Sequence, residues 1–150
     1  MLHSNGSALT ALRFVDMPTV NLPVWPTDAD DCDECLRATC RWLDAYFVGS
    51  LPSTLSPLQP HGTPFQQAVW RELLTIPYGA TVTYGDIARC VGCRSAQAVG
   101  QAIGRNPIAL LIPCHRVVSS KGTLTGYAYG IERKQWLLQL EKKSLPTFSI

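Results

Sequence analysis

The sequence predicts a mixed α/β protein, with a small sheet-and-helix unit at the N-terminus and a larger, mostly helical unit after it. Three observations carry this. A short apolar-rich segment and one amphipathic period occupy the first 48 residues. A Gly-, Ser- and Pro-rich stretch divides the chain at residues 49–62. Beyond it, Thr63, Thr83 and Ser95 each stand where a helix N-cap is expected, ahead of a run with helical character. At 150 residues, 46% hydrophobic and 16% charged, the chain can bury a compact core, and general disorder is excluded.

Taken in order, residues 9–15 (Leu-Thr-Ala-Leu-Arg-Phe-Val) are short and apolar-rich and read as a strand, with Gly6 and Ser7 forming a turn before it. Residues 31–48 read as an amphipathic helix, because Leu36, Cys40, Leu43 and Phe47 recur at helical spacing behind acidic residues in the first turn. The expected division is an N-terminal unit over 1–48, a linker over 49–62, a second unit over 63–143 and a tail over 144–150. In the second unit, Thr63-Pro64-Phe65-Gln66 carries an N-cap, a proline at the first helical position and a capping box. That helix is expected to reach about Ile76, with Phe65, Val69, Leu73 and Ile76 on one face. Thr83 with Asp86 starts a second helix that ends at Gly92, and Ser95 caps a third that runs to Gly104 and the stop at Asn106-Pro107. Two short helices joined by a tight Gly-containing turn fit a helix-turn-helix.

Charge is unevenly placed. The net charge is +2, but residues 1–60 hold three basic against seven acidic side chains, and the remainder ten against four. Residues 87–121 contain Arg89, Arg94, Arg105, Arg116 and Lys121 and no acidic residue, so an anionic partner is expected to approach there. The third helix is poor in side-chain bulk (Ala96, Ala98, Gly100, Ala102, Gly104), which fits either close helix packing or insertion into a nucleic-acid groove, with Gln97 and Gln101 facing base edges. No apolar run approaches the roughly 18–20 residues of a membrane span, and the first six residues lack the features of an export signal. A soluble, intracellular protein with reduced thiols is expected. Cys32 with Cys35, and Cys90 with Cys93, have the spacing of zinc ligands, but nothing brings the two pairs together, and no metal is expected.

Residues 108–112 (Ile-Ala-Leu-Leu-Ile) form an apolar run that should be buried and that delivers Pro113-Cys114-His115-Arg116-Val117. Nearby cations favour thiolate over thiol, which makes Cys114 the candidate nucleophile, against the alternative of a structural buried cysteine. Neighbours on an extended strand face opposite ways, so His115 can serve Cys114 only if the chain turns or a water lies between them.

Pro113-Cys114-His115-Arg116-Val117 resembles the active-site motif of the O6-alkylguanine-DNA alkyltransferases, also called methylated-DNA–protein-cysteine methyltransferases. The resemblance extends over residues 60–141 through Gly62-Thr63-Pro64-Phe65, Val69-Trp70, Ile76-Pro77-Tyr78-Gly79, Thr83-Tyr84, Ala98-Val99-Gly100, Arg105-Asn106-Pro107, Gly126-Tyr127 and Arg133-Lys134. It implies a winged-helix-like C-terminal domain that binds duplex DNA through the minor groove, extrudes an O6-alkylated guanine and transfers the alkyl group irreversibly to Cys114, one lesion per molecule, with no cofactor. It further implies that His115 deprotonates Cys114 through a water, that Glu141 orients His115, that Asn106 supports the reactive turn, and that Tyr84 gives a proton to the departing guanine. Val117, Ser120, Tyr127, Ala128 and Tyr129 would line the base pocket. Thr83, Arg94, Ser95, Ala96, Gln97, Ala98, Gly100, Gln101, Arg105 and Arg116 would meet DNA. Gln97 stands where the family usually has an arginine that fills the gap left by the extruded base. Tyr129 stands where many relatives have glycine, which implies a narrower entrance. A further strand usually precedes the one expected at residues 9–15, so the N-terminal unit is expected to be abbreviated. The implied protein is a monomer, cytoplasmic, or nuclear if its source is a eukaryote.

Overall fold

A computed structural model describes residues 1–16, 33–50 and 55–144. Strand β1 (Leu2–Ser4) pairs antiparallel with β2 (Leu9–Leu12), joined by a turn in which Asn5 Oδ1 accepts from the amides of Ser7 and Ala8. The strand expected to be missing therefore precedes β2, which itself ends at Leu12, short of the expected Val15. Helix α1 (Glu34–Phe47) follows, with Asp33 as N-cap accepting from the Cys35 amide; Asp31 and Cys32 lie outside the described residues, as does residue 145 onward of the tail.

The buried face of α1 is rotated from the expected one. Cys35, Thr39 and Tyr46 are buried, whereas Cys40 and Phe47 are exposed. Two stripes one residue apart satisfy the same helical period, and the polar Thr39 and Tyr46 go inside because each finds a partner there. The expected linker is likewise anchored where it is described: Leu58 forms a parallel bridge with Leu9, the Leu9 amide donates to Pro57 O (2.8 Å), and buried Ser56 meets Thr39.

Helix α2 (Pro64–Leu73) has the full Thr63–Gln66 capping box, but it stops at Leu73, three residues before the expected Ile76. Its buried side chains are Val69, Trp70 and Leu73, while Phe65 is exposed. Trp70 takes the place expected of Phe65, because its indole N–H finds the Ala102 carbonyl at 2.9 Å. Strand β3 (Val82–Thr83) leads into α3 (Tyr84–Cys90), capped reciprocally by Thr83 and Asp86; α4 (Ala96–Gly104) is capped by Ser95. The α3–α4 pair is the expected helix-turn-helix, with Gly92 at φ 66° in the corner. A 3₁₀ turn (Cys114–Arg116) runs into β4 (Val117–Val118), which pairs parallel with β3. Helix α5 (Ile131–Lys143) closes the described fold. One core joins both halves: Leu9 and Leu12 of the small sheet pack with Ile108, Leu111 and Ile112, and with the inner faces of α2 and α4. No described helix is long and apolar enough to cross a membrane.

Candidate functional site

Residues 108–112 are buried as expected but do not form a strand. The Ile112 amide returns to Ile108 O (3.1 Å), and Leu110 adopts φ 68°, a conformation that costs a residue with a Cβ roughly 1–2 kcal/mol. Asn106 holds this tight loop from inside. Its Nδ2 donates to Ile112 O (2.8 Å) and its Oδ1 accepts from the Ile108 amide (2.9 Å). The Cys114 amide donates to the same Ile112 carbonyl (2.8 Å), so Asn106 and Cys114 share an acceptor. From behind, Leu12 of β2 brackets the loop, its amide donating to Pro107 O and its carbonyl accepting from the Ala109 amide, each at 2.9 Å. Pro113 then turns the chain into the 3₁₀ segment, and Cys114 and His115 do not alternate as on a strand.

Glu141 of α5 is the hub beneath that turn. It is fully buried, and its two oxygens accept five hydrogen bonds. Oε1 takes His115 Nε2 (2.7 Å), the Tyr46 hydroxyl (2.7 Å) and Arg116 Nη2 (3.0 Å); Oε2 takes Arg116 Nε (2.9 Å) and the Gly79 amide (2.9 Å). Burial alone would raise the Glu141 carboxyl, but the hydrogen bonds from His115 and Arg116 and the Arg116 charge outweigh it and bring the group to about 2. The group is thus an anion at neutral pH. An anion accepts, so His115 must carry its proton on Nε2, which leaves Nδ1 bare. Nδ1 is buried and has no partner among the described residues. Burial also lowers the His115 pKa against the opposing pull of Glu141, which keeps the imidazole neutral, with Nδ1 as a proton acceptor.

Burial pushes the Cys114 thiol up, only partly offset by a hydrogen bond from Asn106 and the charge of Lys134. The resting group is therefore a thiol, and the cation that acts on it is Lys134, with neighbouring Arg116 committed elsewhere. Arg116 is buried: it pairs with Glu141, donates to Ile76 O (2.7 Å), and lies 5.5 Å over the Tyr78 ring. Its placement among groups that meet DNA is corrected on this ground, since a guanidinium fully committed inside the fold offers nothing to a phosphate.

Tyr84 opens α3 and donates to Thr125 O (3.0 Å), a carbonyl that also accepts from Lys134 Nζ (2.9 Å). The Lys134 ammonium is buried, lies 5.9 Å from the Tyr84 ring centroid, and acts electrostatically on Cys114. Tyr127 keeps a buried hydroxyl near Cys114 that has no partner among the described residues, and Tyr129 packs edge-on against it at 5.7 Å. In front of Tyr84, a groove of about 700 Å³ runs between α4 (Ala96, Gln97, Gly100, Gln101) and the segment holding Ser119, Ser120, Thr125 and Gly126. Arg94, Ser95, Ala96, Gln97, Gln101 and Arg105 are exposed, and Ala98 and Gly100 half-buried; Gly100 lies close enough to Tyr84 that a Cβ there would touch the ring at 3.8 Å. The Thr83 hydroxyl is occupied by its cap to Asp86. Val117 is fully buried in β4, and Ala128 is exposed beside Tyr129.

The family model for the 6-O-methylguanine DNA methyltransferase DNA binding domain matches residues 64–143. The methylated-DNA–protein-cysteine methyltransferase of Mycolicibacterium paratuberculosis is 51% identical over 146 residues, which cover 97% of this chain and 87% of that protein. The chain belongs to the methylated-DNA–protein-cysteine methyltransferase family. A relative of the same name from Methanosarcina acetivorans is 51% identical over 110 residues, covering 73% and 70% of the two chains. The crystal structure of Mycobacterium tuberculosis OGT in complex with DNA superposes with a TM-score of 0.80 at 43% identity, covering 97% of this chain and 88% of that one.

Within this family fold, the residues singled out from sequence fall into two groups. Cys114, His115, Glu141, Asn106, Tyr84, Tyr127 and Tyr129 converge on one region, and the exposed residues of α4 form the face in front of it. Two residues at the site were given no role from sequence. Lys134 stood only as part of a matching motif, and a lysine in a helix ordinarily reads as surface. Tyr46 lies far away in sequence, and nothing local to it signals a charged partner.

Proposed function

We propose that this protein repairs O6-alkylguanine in duplex DNA by moving the alkyl group onto Cys114. The supporting observation is the Glu141–His115 couple, which leaves a bare, buried Nδ1 on the imidazole adjacent in sequence to a buried thiol. The thiol proton passes through a water to His115 Nδ1, and the imidazolium so formed is held by Glu141 through Nε2–H. The Cys114 thiolate attacks the alkyl carbon, the C–O6 bond breaks, and the electron pair leaves with guanine. Tyr84, kept protonated by burial, donates its phenolic proton to the leaving base. The phenolate regains a proton from the imidazolium by way of solvent, so that overall the thiol proton ends on guanine. Lys134 offsets the transient negative charge on both Cys114 and Tyr84. The thioether has no route back, and each molecule reacts once.

The DNA approaches the α4 face, a monomer sufficing. Small side chains let α4 enter the minor groove, Gln97 fills the space of the extruded base and hydrogen-bonds to the orphaned cytosine, and Arg94 and Arg105 reach phosphates. The extruded base sits against Val117, Ser120, Tyr127, Ala128 and Tyr129, with Tyr129 limiting the adduct to small alkyl groups. Incubation with duplex DNA containing O6-methylguanine, followed by mass analysis of the Cys114 peptide, tests the reading. One methyl group per molecule on Cys114, abolished in Cys114→Ser with DNA binding retained, is the expected result. Unmodified Cys114 after tight binding would overturn it.

A further inference from the structure

We infer that Tyr46, supplied by the N-terminal helix α1, is a positioning residue for the alkyl transfer, holding Glu141 and thereby setting how readily His115 accepts the proton of Cys114. The inference rests on the reading of Cys114 and His115 given above. Among the described residues, Tyr46 is the one donor to Glu141 from outside the C-terminal half; the others belong to Gly79, His115 and Arg116. Its hydroxyl meets the same oxygen as His115 Nε2–H, at the same 2.7 Å, and stands 3.5 Å from that nitrogen. The side chain is fully buried and fixed on two sides, stacked on Trp42 at 5.1 Å and edge-on to Tyr78 at 5.9 Å. Burial and the charge of Glu141 push the phenol far above its ordinary range, so it stays a donor at any pH the protein survives.

The geometry defines what the hydroxyl does. A carboxylate oxygen that accepts from three donors divides its negative charge among them. With the Tyr46 hydroxyl present, Oε1 pulls less strongly on His115 Nε2–H, and the imidazolium is stabilised less. Among the described residues, the charged or titratable groups facing His115 that enter this balance are Glu141 and Lys134 from α5, Arg116 and Cys114 from the 3₁₀ turn, and Tyr46 from α1. Of these, Tyr46 can lose its polar atom without a change in formal charge and without removing a reacting group.

Tyr46→Phe removes one oxygen and keeps the stacked ring. The expected result is that the acid limb of the pH–rate profile for methyl transfer moves to higher pH by about half a unit, an approximately threefold loss of rate below the limb that vanishes above it. NMR titration of the His115 imidazole should move in the same direction, with its proton on Nε2. Site-specific 3-fluorotyrosine at position 46, a more acidic phenol of nearly the same size, should move both limb and titration to lower pH, and it serves if Tyr46→Phe does not fold. A His115 titration unmoved by either change overturns the role of Tyr46, whether or not methyl is transferred. Failure of the wild-type protein to methylate Cys114 overturns instead the functional reading, and the His115 titration still decides the role of Tyr46.

Discussion

Replacing Asn106 by Ala should be among the most damaging single changes to the reactive loop. The Ile108 amide has Asn106 Oδ1 as its partner and is buried, so the substitution leaves a donor unpaired, at a cost of about 1–3 kcal/mol. The Ile112 carbonyl loses one of two donors but keeps the Cys114 amide, which adds about 0.5–1 kcal/mol. Together these come to about 3 kcal/mol, and for a chain of this length a loss of that size lowers Tm by about 6–12 °C. A second effect falls on the thiol. Asn106 also hydrogen-bonds Cys114 and holds its pKa down against burial, so its loss should shift the onset of Cys114 alkylation by iodoacetamide to still higher pH. Thermal melting followed by circular dichroism, and iodoacetamide rates measured across pH, give the two readouts. A Tm drop below about 3 °C, with the pH profile of Cys114 unchanged, would refute the bracing role assigned to this side chain.

Three further outcomes are expected. Because the Glu141 carboxyl lies near 2 in the fold and near 4.5 when free, its contribution is complete above pH 4.5 and is lost as pH falls toward 2, about 3 kcal/mol in all; His115, lowered by burial from 6.5, adds a loss of the same sign that begins below 6.5. A Tm that stays flat from pH 6 to pH 3 would contradict both. Arg116→Met should lower Tm by several degrees with no change in the salt dependence of DNA binding, whereas Arg105→Ala should leave Tm nearly unchanged and reduce the slope of log affinity against log salt by about 1; a slope reduced from wild type by Arg116→Met would return Arg116 to the interface. Tyr129→Gly should speed inactivation by a benzyl-type guanine base while leaving methyl transfer in place, and rapid inactivation of the wild-type protein would argue against Tyr129 as the gate.

What was legible in the sequence is what short-range chemistry decides. Thr63 with Gln66, Thr83 with Asp86, and Ser95 cap their helices as read, because a capping side chain needs only the amides two or three residues ahead. The Cys114–His115–Glu141 cluster was reached through motif resemblance, and the fold brings it together. Long-range partners were not legible. The period of α1 fits two faces equally, and the choice depends on Glu141, 95 positions from Tyr46. Arg116 looked like surface charge because counting charges treats every arginine as solvated. Helix α5 went unread because half of its buried face is charged: Lys134 and Glu141 lie inside with Leu137 and Leu138, while the apolar Trp136 is exposed. Loop-like composition at residues 55–60 gave no hint that Leu58 and Ser56 are tied to β2 and α1.

With α4 as the proposed DNA-facing element, its sparse outer face bears on where on a genome this protein can work. Between Ser95 and Arg105 the longest outward side chains are two glutamines, set among alanines and glycines, and the Trp70 indole grips the backbone of the helix at Ala102. Such a face has few groups to compare one base pair with another, so flanking sequence should scarcely alter its grip. On the proposed reading, a helix stripped of long side chains searches for an alkylated guanine with little regard to the bases on either side of it.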